Sequence, residues 1–204
     1  MSTVAELQHQ AKGSTLRSTL AFVAAHSGTA AVGRVLERLS LEERGRMEGT
    51  AATDEVPMEL LRRLWGAVDA ELAKDDAGWA EKSGAYSIES MGVQLYRGIL
   101  LKKSPIEFLT QRVSLFRLYY QPGDMVVVEE EPGRAILRLV GFDPGTTIFC
   151  RRQTGGLLRA IQLAGGQHAS VRHVRCTVEG DAFCEWELRW DADGQDAAAS
   201  TAAS

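Results

Sequence analysis

Three cysteines and one histidine in the C-terminal part of the chain could build a metal site: Cys150, His173, Cys176 and Cys184. If a β-hairpin is centred on Gly180, Cys176 and Cys184 stand opposite each other on its inward face, and Cys150 can approach when the preceding segment folds over the sheet. Three thiolates and one further ligand form a closed tetrahedral zinc site. His173 is the candidate fourth ligand, but strand alternation puts it on the outer face unless a bulge at Val174 turns it inward.

The same residues allow two other interpretations. A buried cysteine is commonly a small hydrophobic side chain, and His173 could be an ordinary surface residue. A disulfide between Cys176 and Cys184 is a third possibility. It is disfavoured because an odd number of cysteines, in a chain large enough to fold without crosslinks, is typical of a reducing compartment.

A second group of residues could form a ligand pocket because its members are all aromatic. They are Trp79, Tyr96, Phe116, Tyr119 and Tyr120. In one interpretation they line an apolar cavity for a small ligand, and in the other they only pack in the core.

A candidate anion site lies next to Cys150. Arg151 and Arg152 precede Thr154 and two glycines, and a helix that begins at Thr154 would direct free amides towards an anion. The alternative is a capping turn beside solvated arginines, because the segment lacks a full phosphate-binding loop.

The first 120 residues have the periodicity of helices. Ser40 and Glu43 have the spacing of a capping box, and Pro57 stands where a helix N-terminal proline belongs. The clearest amphipathic run comprises Met58, Leu61, Trp65, Val68 and Leu72. We therefore expect several helices before the middle of the chain.

The second part of the chain has the period-two pattern of strands. We expect a hairpin with strands at 125–130 and 135–141, then a helix that begins at Thr154, then two strands at about 169–178 and 183–190. The fold class is therefore α+β, with N-terminal helices followed by a helical layer packed on a C-terminal antiparallel sheet.

Composition suggests one domain with extensions at each end. We expect a flexible N-terminal tail over 1–13, a helical region over 14–76, an α+β domain over 77–190 and a disordered acidic tail over 191–204. The net charge of −4 is too even for a nucleic-acid or membrane-surface footprint, and no apolar run is long enough to cross a bilayer. The sequence thus predicts a cytoplasmic protein.

The stretch from about Gly78 to Trp190 resembles the 4-vinyl reductase (V4R) domain, a ligand-binding module of bacterial regulators. The resemblance rests on Cys150, the segment GGLLRAIQLAGG, and Cys176 and Cys184 around a Gly-Asp turn. It implies the fold shared with nitric-oxide-signalling and Golgi-transport tethering proteins. It also implies zinc at the three cysteines, with His173 where the family has a glutamate. The whole chain is similar to a myxobacterial paralogous family.

The resemblance also implies what is missing. No histidine lies between Ser27 and Gln167, so the proximal histidine of haem domains and the effector-binding histidine of aromatic sensors have no counterpart, and we expect no haem. We found no nucleophile elbow, dinucleotide loop or HExxH motif, so we expect no enzymatic activity.

The function expected from these features is a non-catalytic sensory or adaptor module, homodimeric, that binds a small apolar ligand or an unidentified protein partner and holds a structural zinc ion. The alternative is a protein–protein interaction scaffold, similar to subunits of the transport-particle (TRAPP) tethering complex, without a small-molecule ligand.

Overall fold

The computed structural model of the chain describes residues 9–92, 104–109 and 115–191. The helices are α1 Gly13–Ser27, α2 Thr29–Glu37, α3 Leu41–Gly49, α4 Met58–Leu72, α5 Trp79–Ser87, α6 Pro105–Leu109, α7 Leu115–Tyr119 and α8 Thr147–Leu163, and a π-helical turn, Ile88–Gly92, extends α5. The strands are β1 Gln10–Lys12, β2 Glu55–Pro57, β3 Tyr120–Gln121, β4 Asp124–Glu131, β5 Arg134–Val140, β6 Ser170–Arg175 and β7 Glu185–Arg189. The predicted combination of helices and antiparallel sheet, an α+β fold, is confirmed.

Two antiparallel sheets organise the strands. The smaller has the order β2-β1-β3, and the larger has the order β4-β5-β7-β6. The predicted first hairpin is confirmed as β4 and β5, and Gly133 has a φ of 78°, as required at the third position of a type II turn. The larger sheet and α8 provide the frame for both candidate sites.

The helical predictions for the first part of the chain are also confirmed. Ser40 and Glu43 form the capping box at the start of α3. Helix α4 buries its whole predicted apolar face, since Trp65, Leu61 and Val68 have no exposed surface. None of the helices in the described ranges is long and apolar enough to cross a membrane.

Part of the segment predicted as a flexible N-terminal tail, 1–13, forms regular structure, while residues 1–8 lie outside the described residues. Gln10–Lys12 forms β1, the central strand of the smaller sheet, and Ala11 is buried between its two neighbours. A polar segment without periodicity can still form a strand when both edges of its backbone find partners. The acidic tail predicted over 191–204 lies, apart from Asp191, outside the described residues.

One buried cluster runs through both the predicted helical region and the predicted α+β domain. It includes Val23 and Leu64 from the first range, and Phe149 and Leu188 from the second. The two ranges therefore share one core.

Helices α5 and α8 pack at unusually short distance because glycines lie at their crossing. A Cβ atom on Gly84 would lie 1.9 Å from the carbonyl oxygen of Arg152, and one on Gly155 would lie 1.9 Å from that of Glu81. Only glycine permits this approach of two backbones. The crossing fixes α8 against the rest of the helical layer.

The start of α8 differs from the prediction. The helix begins at Thr147 and its N-cap is Thr146, whose hydroxyl accepts a hydrogen bond from the amide of Ile148. Thr154 lies inside the helix and donates its hydroxyl proton to the carbonyl of Cys150. The predicted anion site at a helix start is therefore wrong, because the amides near Thr154 are used within the helix.

Candidate functional site

The structure brings the four predicted metal ligands together. One ligand atom from each of Cys150, His173, Cys176 and Cys184 lies within 4.8 Å of the others. The three cysteines are buried free thiols, and His173 is half-buried. We call this group the thiol–imidazole cluster.

A β-bulge turns His173 towards the thiols. In the pairing of β6 with β7, His173 faces Trp186 and Arg175 faces Glu185, so Val174 is left over and the register shifts. Val174 is 42% exposed, whereas His173 stacks on Trp186 with ring centroids 4.6 Å apart. The bulge at Val174 that His173 needs in order to turn inward is thus present, and Val174 itself points outward.

The cysteines come from three different backbone contexts. Cys150 lies in the first turn of α8, Cys176 precedes a short 3-10 helix at Thr177–Glu179, and Cys184 lies directly before β7. The carboxylate of Asp181 accepts a hydrogen bond of 2.7 Å from the amide of Cys176 and so ties down the connecting turn. The turn that joins β6 to β7, which we call the closing turn, therefore lies against the N-terminal turn of α8.

Contacts among the thiols shift the pKa values of Cys150 and Cys184 in opposite directions. The Sγ atoms of Cys150 and Cys184 are 3.8 Å apart, and the amide of Thr177 donates to Cys184. The Cys150 thiol, followed by His173 and Thr177, lowers the pKa of Cys184 to about 4. The same contact with Cys184, together with burial, raises the pKa of Cys150. These contacts favour the thiolate form of Cys184, and a thiolate is the form in which cysteine binds metals.

Trp186 connects the cluster to α8. Its ring covers His173, and its Nε1 donates a 3.0 Å hydrogen bond to the hydroxyl of Thr154. The Nε2 atom of His173 is shielded from solvent and makes no hydrogen bond of ordinary geometry. A shielded ring nitrogen beside three sulfurs is suited to coordinate a metal.

A second candidate site is a cavity of about 290 Å³ between the helical layer and the larger sheet. Its walls come from α1, α5 with its π-helical turn, α6, α7, α8, β3, β4 and β5, and we call it the central cavity. The apolar side chains in its lining are Ile88, Phe108, Leu109, Phe116, Met125, Val126, Val127, Leu137, Leu157 and Ala160. Its volume is just below the range of about 300–1,000 Å³ that is typical of small-molecule pockets.

Three of the five predicted pocket residues line this cavity: Phe116, Tyr119 and Tyr120. Trp79 does not; it is fully buried elsewhere, and its Nε1 donates to Asp69. Trp79 is the first residue of α5, and its ring packs against α4 instead of facing the cavity. Tyr96 lies outside the described residues.

The alternative of core packing also holds for part of the aromatic group. The rings of Phe116 and Tyr120 are 5.2 Å apart, and both contact Phe142 and Phe149, which are buried in the core. One side of each ring therefore packs in the core while the other lines the cavity.

Arg152 is the residue of the central cavity whose role the sequence did not reveal. It is only 4% exposed, lines the cavity from α8, and makes a short hydrogen bond to Ser83. Burial lowers its pKa to about 10, and burial raises the pKa of the neighbouring Tyr120. The sequence singled out Arg152, but as a solvated or anion-binding residue at a helix start.

Comparison with known proteins gives the fold but not a family. No family model matches, and no curated protein matches. The chain is similar to the Fe(II) unliganded H-NOX protein from K. algicida, with 13% identity, a TM-score of 0.67, and coverage of 90% of this chain and 98% of that one. It is also similar to a mutant form of the H-NOX from T. tengcongensis, with 12% identity, a TM-score of 0.63, and coverage of 88% and 96%. The chain has an H-NOX-like fold.

A structure from work on haem distortion in the H-NOX family gives the same result, with 12% identity, a TM-score of 0.63, and coverage of 90% and 95%. The expected V4R membership, and with it the Golgi-transport and tethering-subunit comparison, is therefore wrong. That resemblance rested on a helix and a hairpin around Cys176 and Cys184, and such local elements recur in different folds. The myxobacterial resemblance has no support from these comparisons.

The prediction of no haem is contradicted by the same finding, because the solved structures with this fold include haem proteins. The prediction treated a histidine as the necessary iron ligand, whereas tyrosine, methionine and cysteine also ligate haem iron. The described cavity lining contains residues of two such types: Tyr119, Tyr120 and Met125. These side chains include types that ligate haem iron, although burial raises the pKa of Tyr120 and so opposes the phenolate form in which a tyrosine would do so. The zinc that was predicted together with the absence of haem has no support from the comparisons.

Proposed function

We propose that this H-NOX-like chain is a non-catalytic sensory module whose central cavity binds a predominantly apolar ligand. The observation that carries the proposal is the cavity of about 290 Å³, which lies between α5, α8 and the larger sheet and has mostly apolar walls. Burial of apolar ligand surface in such a pocket is the main source of affinity for small molecules.

Native mass spectrometry of the purified chain tests this proposal directly. We expect a bound small molecule that denaturation releases, or binding of added apolar compounds with about one site per chain. Leu157→Trp fills the cavity from α8 and should prevent binding, whereas Leu41→Trp, at a residue that is 81% exposed, should not. Binding that is equal in both variants, or no binding of any probe, would refute the proposal.

Haem is one candidate occupant, because proteins with this fold bind it and because the cavity presents the phenols of Tyr119 and Tyr120 and the thioether of Met125. When bound, a haem would supply iron as a gas-binding centre. Titration with haemin, followed by visible absorption, tests this occupant. Retention of the absorption change in Tyr119→Phe, Tyr120→Phe and Met125→Leu would exclude these residues as ligands.

We further propose that the thiol–imidazole cluster binds one structural metal ion. A tetrahedral ion with metal–sulfur bonds of about 2.3 Å holds two sulfurs about 3.8 Å apart, which is the distance between the Sγ atoms of Cys150 and Cys184. Three sulfurs and one imidazole form a closed donor set that suits Zn²⁺. Such an ion would fasten the closing turn to α8.

Metal analysis of protein purified without added metal tests the second proposal. We expect about one equivalent of metal per chain, lost in Cys176→Ser and weakened in His173→Gln. His168→Gln is the matched control, because the His168 side chain is 85% exposed, pairs with Asp191 and lies outside the cluster. A metal-free protein that gains no thermal stability from added Zn²⁺ would contradict the proposal.

Signal output would then depend on association, either with a second copy of the chain or with a protein partner. We also propose that the chain is not an enzyme, because its sequence has no nucleophile elbow, dinucleotide loop or HExxH motif. Size-exclusion chromatography with light scattering, with and without ligand, tests the association. A monomer under all conditions that captures no partner would argue against it.

A further inference from the structure

The charge of Arg152 has no counter-ion in the part of the chain that the structure describes. None of the salt bridges of the described residues includes Arg152, and its Nε is buried without a hydrogen-bond partner. Its remaining polar contact is with the Ser83 hydroxyl, and its guanidinium lies 5.0 Å from the centre of the Trp65 ring. The neighbouring Arg151, by contrast, is paired with Glu81.

A buried charge without a partner is costly, so its presence calls for an explanation. A hydroxyl and an aromatic face reduce this cost only in part, since neither carries a negative charge. Even with its pKa lowered to about 10, Arg152 is protonated at neutral pH. Methionine or leucine would fill the same space without this penalty.

The position of Arg152 shows where a counter-ion could come from. Arg152 is one of the residues that line the central cavity, as are Tyr120, Gln153 and Ser87, and its guanidinium is near enough to the phenol of Tyr120 to interact with it electrostatically. Asp124 is the acid among the described lining residues, and it is already paired with Arg117 at 2.6 Å. The polar end of the cavity therefore offers a cation and hydrogen-bonding groups, and the rest offers apolar walls.

We propose that the ligand of the central cavity carries a carboxylate that pairs with Arg152, while its apolar body contacts the walls formed by α6, α7, β4 and β5. This inference rests on the proposed function and adds the chemical class of the ligand. A guanidinium binds a carboxylate through two parallel hydrogen bonds. A single anionic group on a mainly apolar molecule matches a cavity with one cation at one end.

Two sources could supply such a group: a free apolar monocarboxylic acid or a propionate of haem. Octanoate and its uncharged amide, octanamide, serve as one matched pair of probes, measured by isothermal titration calorimetry with the full chain. We expect octanoate to bind at least about tenfold more tightly than octanamide, since hydrogen bonds to charged groups are the stronger ones. Haemin and its dimethyl ester, followed by absorption, form the second pair.

The variants Arg152→Met and Arg152→Lys assign the preference to this side chain. In Arg152→Met we expect equal affinities for acid and amide and no loss of thermal stability without ligand, because an unpaired charge has been removed. Arg152→Lys keeps the positive charge but not the two parallel N–H donors of the guanidinium, so this variant should retain part of the preference for the acid over the amide. Arg159→Met is the matched control on the same helix, because Arg159 pairs with Glu89 outside the cavity.

The outcomes separate this inference from the proposed function. If neutral and charged members of both pairs bind equally well, or if Arg152→Met keeps the acid preference, the carboxylate inference is wrong while the ligand-binding function stands. If no probe binds at all, both are wrong. If only haemin discriminates against its ester, and does so through Arg152, the carboxylate is that of haem.

Discussion

Replacement of Gly84 by alanine should destabilise the protein because it separates the two helices that carry both candidate sites. The new Cβ would lie 1.9 Å from the carbonyl oxygen of Arg152, and ordinary contact begins at 3.4 Å, so α5 and α8 must move apart by about 1.5 Å. Such overpacking costs about 3 kcal/mol, and the higher helix propensity of alanine offsets about 1 kcal/mol. The net loss of about 2 kcal/mol corresponds to a decrease in Tm of about 4–8 °C for a chain of this length.

Gly66→Ala provides the control for this experiment, because Gly66 lies in the exposed part of α4 and its added Cβ would meet no atom within 4 Å. We expect that variant to gain about 1 kcal/mol from helix propensity alone. Both are measured by thermal and urea unfolding, followed by circular dichroism. If Gly84→Ala is as stable as Gly66→Ala, the close crossing of α5 and α8 does not exist as described.

Three further predictions concern single interactions. Thr154→Val removes the acceptor of the Trp186 indole N–H, which leaves a buried donor unsatisfied and should lower the free energy of unfolding by about 1–3 kcal/mol in urea titrations. Ser40→Ala removes the N-cap of α3 and should cost about 1 kcal/mol, whereas the same change at the exposed Ser170 should cost much less. Hydrogen bonds from Arg189 and then Arg134 lower the pKa of Glu187 from 4.5 to about 2. The stability that Glu187 adds is therefore present above pH 4.5 and lost as pH falls towards 2, so the deficit of Glu187→Gln at pH 7 should disappear over that range. A deficit that is constant with pH would contradict this assignment.

The sequence predicted the cluster better than its surroundings. A Gly-Asp turn midway between Cys176 and Cys184 places these residues opposite each other, so the sequence predicted that their two thiols lie close together. The position of His173 depended on one extra residue in β6, and a bulge leaves no clear signature in a single sequence.

The central cavity was harder to predict because burial of a charged residue cannot be read from its type. Arg151 and Arg152 are adjacent and identical, yet one pairs with Glu81 at the surface and the other is enclosed. Their difference arises because the N-cap of α8 is Thr146 rather than Thr154, and both threonines can cap a helix. The glycine after Thr154 suggested that a helix starts there, whereas Gly155 in fact permits the close crossing of α5 and α8. That role depends on a helix that is distant in sequence, so the local sequence does not reveal it.

The overall topology also depended on distant contacts. Local motifs matched several α+β families, and only the arrangement of all the elements distinguished the H-NOX-like fold. The same limit applied to β1, where a short polar segment gains its partners from residues 55–57 and 120–121.

Helix α8 has one property that joins the two proposals: Cys150 and Arg152 are only two residues apart on it, and one belongs to the cluster while the other faces the cavity. A rigid helix cannot shift at one of these positions without a displacement at the other. Reciprocal linkage then requires that any factor by which metal changes the affinity for the ligand equals the factor by which the ligand changes the affinity for metal. The N-terminal turns of α8 would thus couple the binding of a metal ion in the cluster to the binding of a ligand in the cavity, although the two sites differ in chemistry.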